Sequence, residues 1–166
     1  MADAPSNNIW KDEWTNLGKE PWQNGIRTRR LARGEIVGAT LHEMPPHNTG
    51  GQYHFHHGNE EMLIVLKGRP TLRTPEGERV LDEGEVVVFP RGARGAHKCS
   101  NTTSEPVRYL FVSNNASPDA VEYPDAKLLS IMAYTESQFG GPLWNMRVVS
   151  KDDRPPKVDS NGKPIS

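Results

Sequence analysis

An all-β fold, an antiparallel sandwich or barrel, is what this sequence predicts. Three observations carry the expectation. Short apolar runs follow one another between Arg33 and Ser113. Turn-forming clusters separate them: Pro45-Pro46, Thr49-Gly50-Gly51, Gly58-Asn59, Pro75-Glu76-Gly77, Glu83-Gly84 and Pro90-Arg91-Gly92. No helical stripe of useful length occurs in the same stretch. Many short strands at regular turn spacing belong to sandwiches and barrels.

Taken in order, residues 1–32 read as a polar N-terminal arm. It carries Trp10, Trp14 and Trp22, and such large apolar rings need a surface to cover, either the chain's own barrel or a neighbouring subunit. The cluster Arg27, Arg29, Arg30 and Arg33 reads as a solvated face of that arm rather than a phosphate or nucleic-acid site. Residues 33–114 form the barrel core, with strands expected in Glu35–Met44, Glu61–Leu66, Pro70–Thr74, Glu78–Leu81, Glu85–Phe89, His97–Asn101 and Val107–Val112. The Pro-Glu-Gly turn between Thr74 and Glu78 reads as a hairpin. Residues 115–166 form a C-terminal extension. Within it Tyr123-Pro124-Asp125 is a turn, Lys127–Tyr134 reads as strand or helix, and Asp152–Ser166, with Pro155, Pro156 and Pro164, reads as a loose, irregular tail.

The bulk figures narrow the function. The 166 residues suit one domain with extra arms, and 34% hydrophobic with 25% charged residues is a globular composition. With 20 basic and 21 acidic residues the net charge is -1, which points to neither nucleic acid nor a membrane surface. A lone cysteine, Cys99, excludes an internal disulfide framework. Met1–Ile9 has no apolar signal core, and the longest apolar run, Met62–Leu66, is far short of a membrane span. A cytoplasmic location is therefore expected.

The chemistry lies in His54-Phe55-His56-His57-Gly58-Asn59-Glu60-Glu61. Side chains alternate along a strand, so His54 and His56 point the same way. Two imidazoles on one face followed by a carboxylate make most of a site for Fe, Mn, Ni, Co, Cu or Zn. Residues Met62–Lys67 then separate Glu61 from Gly68, and Gly84, Pro90, Gly92, His97 and Asn101 follow downstream. These residues resemble the cupin family, whose motifs are G-x5-H-x-H-x3-4-E-x6-G and G-x5-P-x-G-x2-H-x3-N. Two departures stand out. The leading glycine of the first motif is displaced, Asn48 standing in its place with Gly50 and Gly51 nearby. Ala93-Arg94-Gly95-Ala96 also makes the second motif's loop longer than usual, as in a subgroup of single-domain cupins.

The resemblance implies a cupin jelly-roll β-barrel with a divalent transition metal held by His54, His56, Glu61 and His97 inside one open end. Glu60 also fits the variable spacing; the six-residue gap to Gly68 favours Glu61. Glu60 and His57 are the candidate acid–base groups. His42 and His47 are expected on the surface or in loops, Cys99 as a small buried apolar residue on the face of His97, and Phe55, Leu63, Val65, Val87 and Phe89 as core or wall. Gly68 and Gly84 sit where the chain must turn sharply, and Pro90 ends the Val86–Phe89 strand. The resemblance further implies a metalloenzyme acting on a small organic molecule, of oxygenase, isomerase or epimerase, or lyase type. A sugar-like binding or sensing module is the alternative. Small cupins commonly pair, so a homodimer is expected.

Overall fold

The computed structural model describes residues 7–14, 25–132, 134–136, 142–144 and 147–150. Its strands are β1 (Arg27–Arg33), β2 (Gly38–Met44), β3 (Phe55–His56), β4 (Glu61–Lys67), β5 (Thr71–Thr74), β6 (Gly77–Val80), β7 (Val86–Phe89), β8 (Lys98–Ser100), β9 (Val107–Ser113), β10 (Asp119–Tyr123), β11 (Leu128–Met132), β12 (Tyr134–Glu136), β13 (Pro142–Trp144) and β14 (Arg147–Ser150). One wall is a five-stranded antiparallel sheet in the order β1-β2-β9-β4-β7. The other consists of β14-β11-β10-β3 and β6-β5-β8. An isolated antiparallel bridge between His54, beside β3, and His97, beside β8, stitches these last two sheets together, and a second, Asn48 to Asn101, ties the β2–β3 connection to the end of β8. The result is all-β, as the strand pattern predicts, and consistent with the jelly roll that the resemblance implies.

Alternation decides which side chains enter the core. In β4, Leu63 and Val65 are 0% and 1% exposed, and their register partners on β9 are Phe111 and Tyr109. Met44, Val107, Leu72, Leu81, Phe89 and Cys99 complete the apolar centre. The intervening β7 residues Val86 and Val88 face outward and are more than half exposed. The hairpin of β5 and β6 turns through Pro75 and Glu76 as expected. Gly68 and Gly84 adopt φ of 80° and 85°, a region open to glycine without strain.

Two expectations need correction. The arginine cluster is a solvated face only in part: Arg27, Arg30 and Arg33 of β1 are exposed, but Arg29 is fully buried and donates from Nη2 to the carbonyls of Asn8 and Lys11. The arm covers this side of the sheet. Trp14 lies over the guanidinium groups of Arg27, Arg29 and Arg108 at 5.2, 5.9 and 5.1 Å, while Arg27 and Arg108 both pair with Glu43. So Trp14 packs on its own barrel; Trp22 lies outside the described residues, as does the tail Asp152–Ser166. The second correction is His42. It stands on β2, between paired neighbours β1 and β9, and not on a surface loop. His47 does occupy an exposed loop. The undecided segment after Lys127 is strand β11, reached through the turn at Pro124–Lys127.

Candidate metal centre

The seam between the sheets builds the site. His54 and His97 exchange backbone hydrogen bonds, N–H to O, at 3.1 and 2.9 Å, which brings their rings to 4.6 Å between centroids. His56 follows two positions on, along the same face. Glu61 opens β4 on the opposite wall, where its carboxylate oxygen lies 3.3 Å from His56 Nε2 and 3.4 Å from His97 Nε2. Ligand-type atoms of His54, His56 and Glu61 all lie within 4.8 Å of one another. His97 meets this cluster through Glu61.

Each histidine is held by its Nδ1. That atom lies 2.8 Å from the Gln52 carbonyl in His54, 2.5 Å from Asp119 Oδ2 in His56 and 2.9 Å from the Gly95 carbonyl in His97. Carbonyl and carboxylate oxygens only accept, so these partners select the Nδ1–H tautomer of the neutral ring and leave its Nε2 with the lone pair that a metal would take. The His97 Nε2 is buried and makes no hydrogen bond. Outer partners that fix tautomer and ring angle in this way are characteristic of metal-ligating histidine.

The electrostatics ask for a cation. Burial works to raise the Glu61 pKa, but the His56 and His97 rings overcome it and hold the carboxyl well below the usual range. Burial, with the neighbouring His97 and His56, pushes His54 down to about 4. Burial also opposes a charge on His56, yet Asp119 and Glu61 raise it to about 9. In the metal-free chain that proton sits between two carboxylates and neutralises one of them. A divalent cation would balance both, and imidazole nitrogen with carboxylate oxygen suits first-row transition ions. The residues present therefore fit a divalent metal.

The longer loop of the second motif has a structural role. Ala93–Gly95 forms a 3-10 turn, Gly95 supplies the carbonyl that holds His97, and the Gly92 N–H donates to the His56 carbonyl at 2.8 Å. A Cβ on Gly95 would lie 1.7 Å from the Pro90 carbonyl oxygen, so no side chain fits there.

The other candidates stay outside the cluster. His57 is half exposed and its Nε2 lies 3.5 Å from Glu122; alternation turns it away from His54 and His56. Glu60 is exposed, and its backbone N–H donates to Asn114 Oδ1 at 2.5 Å. Cys99 is buried as expected, with its thiol pushed up to about 12 by desolvation. Sequence reasoning missed Asp119. Besides His56, it accepts from the Gly58 N–H and from Asn59 Nδ2, both at 2.8 Å. It thus ties the His56–Asn59 turn to β10. Nothing near it in sequence marks it.

Residues 40–113 match the family model described as the cupin domain. No curated protein matches the chain. Among solved structures, the chain is similar to a sugar phosphate isomerase of the cupin superfamily from Silicibacter pomeroyi DSS-3, with TM-score 0.65 and 21% identity over 87% of this chain and 82% of that one. The polyketide cyclase RemF from Streptomyces resistomycificus matches with TM-score 0.52 and 24% identity over 60% and 72% of the two chains. KdgF from a Halomonas species matches with TM-score 0.51 and 17% identity over 63% and 89%. At these identities the likeness speaks to the fold. Family match, neighbours and the two spaced motifs agree on a cupin fold, with one cupin-domain match over residues 40–113.

Proposed function

We propose that the chain is a metalloenzyme that binds one divalent transition ion through His54, His56, Glu61 and His97 and acts on a small organic substrate at the barrel mouth. The observation that carries the reading is the buried, unbonded Nε2 of His97, 3.4 Å from the Glu61 carboxylate, in a set of histidines all anchored through Nδ1. A buried polar atom without a partner costs about 1–3 kcal/mol, and coordination removes that cost here. When bound, the ion supplies Lewis acidity toward substrate oxygens. The protein orients the ligands: Asp119 and the Gly95 carbonyl fix two rings, and Phe89 stacks on His97 at 3.9 Å.

The substrate class is drawn from two supports. The interior beside the cluster keeps inward side chains partly open, as a ligand site does and a filled scaffold does not. The structural neighbours named above, a sugar phosphate isomerase and a polyketide cyclase, are named for work on small molecules. Isomerase, lyase or oxygenase chemistry all use a metal that holds substrate oxygen. Glu60 and His57 stand at the rim rather than at the cluster, so proton transfer there would pass through substrate or solvent. We also propose that two copies pair through the outer face of β4 and β7, where Val86 and Val88 are exposed.

Elemental analysis of the chain after loading with Fe, Mn, Ni, Co, Cu or Zn, followed by a substrate screen with the best-held ion, tests the reading. About one ion per chain is expected; no retained ion of any of the six overturns it.

A further inference from the structure

The space between the two walls is unevenly filled. Its deep end is closed by Leu63, Met44, Leu72 and Val107, all 0% exposed. On the inner faces nearer Glu61, however, Thr40, His42 and Phe111 of one sheet and Tyr123, Leu128 and Met132 of the other keep part of their surface open. Register puts them inward. His42 and Thr40 pair with Tyr109 and Phe111, which pair in turn with Val65 and Leu63 of the core. Tyr123 shares its face with Val121, the partner of His56. An inward side chain on β2, a strand paired on both sides, can be open only to a hollow inside the barrel.

This hollow is lined by polar groups with nothing to bond. His42 stacks on Tyr109 at 5.2 Å and 5° between planes, and meets the edge of Phe111 at 5.7 Å. Among the described residues neither of its ring nitrogens has a partner. Tyr123 stacks on His54 at 5.9 Å, and its hydroxyl likewise has no partner among the described residues. Burial lowers the His42 pKa to about 4, so at neutral pH the ring offers one donor and one acceptor. Unmet capacity of this kind is costly in a sealed core and useful where a ligand supplies the partners.

We infer that His42, with Tyr123, forms a neutral hydrogen-bonding wall that orients the hydroxyl or carbonyl oxygens of an uncharged, polyoxygenated small molecule seated against His54, His56 and Glu61. Among the described residues the wall contains no Lys or Arg to pair with an anion, and a hydrocarbon would leave both groups unbonded. His42 is a positioning residue in this scheme. It rests on the metal-site reading above and adds the chemical class of the ligand.

The full chain is loaded with Zn2+, labelled with 15N at histidine, and titrated with D-xylose, D-fructose and glycerol. Tetrahydropyran serves as a hydroxyl-free control for the sugar ring. At least one polyol should shift the His42 ring nitrogens, and tetrahydropyran should not. His42→Phe keeps the stack on Tyr109 and should weaken polyol binding by about tenfold, the worth of one hydrogen bond at the upper end of its range. His42→Gln, which restores a donor and an acceptor, should recover most of it. Metal content measured on the same samples separates the two levels: failure to take up zinc or any of the other five ions in its place overturns the metal-site reading and this wall with it. A full zinc complement with no polyol bound overturns the wall alone. So does binding that leaves His42 unmoved, or equal binding by wild type and His42→Phe.

Discussion

At the scale of single residues, the site is governed by which nitrogen of each histidine is spoken for. Asp119 is the clearest lever, since it fixes the His56 tautomer and holds the turn that carries it. Asp119→Asn keeps the shape but loses the charge, and it should weaken metal affinity about 10–100-fold. Competition against a chelator of known affinity measures this, and an unchanged affinity would remove Asp119 from the account. The same residues set the pH response of the metal-free chain. His42 and His54 are lowered to about 4 from an ordinary 6.5, so as pH falls below 6.5 the unfolded chain takes up protons that the fold refuses, and stability drops. His56 is raised to about 9, so its contribution is complete below 6.5 and fades as pH rises through 9. Urea unfolding of the metal-free chain should therefore give its greatest stability near pH 6.5 and lower values at pH 5 and pH 9. A steady gain in stability from pH 7 to pH 5 would contradict the assignments.

At the scale of elements, β4 joins core to site: Glu61 begins it, and Leu63 and Val65 bury its inner face. Leu63→Ala leaves a cavity at a fully buried position and should cost about 2–5 kcal/mol, read as a lower urea midpoint at unchanged slope. The loop before β8 is tuned as closely. Gly95→Ala must push the Ala93–Gly95 turn off Pro90, and because Gly95 holds His97 it should lower metal affinity along with stability. The legibility of each element follows its pattern. β4, β7 and β9 are apolar enough for strand to be the natural reading. β10 is a short strand entered at a buried aspartate, and β1 is four parts arginine, so neither shows an apolar alternation. His42 and Glu43 are polar residues at the end of an expected strand, which suggests a surface position; Glu43 is in fact buried in its pairing with Arg27 and Arg108. The cluster itself was legible because His54, His56 and Glu61 are local. Asp119 comes from a strand about sixty residues away and could be seen only once the chain was folded.

At the scale of the whole molecule, two walls meet along a seam, and the histidines are part of the seam. His54 and His97 bridge the two halves of the second wall, while Glu61 reaches them from the first. An ion bound there would tie both walls, so loading should raise the unfolding temperature in proportion to the logarithm of free metal. The outer side of the first wall divides in two. Near β1 and β2 it is covered by the arm, with Arg29 buried beneath. Near β7, Val86 and Val88 remain bare. If that bare part is the homodimer contact, light scattering gives twice the 18.5 kDa chain mass, and Val86→Lys with Val88→Lys gives the single mass. A monomer in the unaltered chain would refute the pairing.

The central claim is one divalent ion held by the histidine and glutamate cluster. Elemental analysis of the purified chain beside a His54→Ala, His56→Ala double variant tests it most directly. The account predicts about one ion per wild-type chain and none in the folded variant. An equal metal content in the two, or none in either even after metal is added, would contradict it.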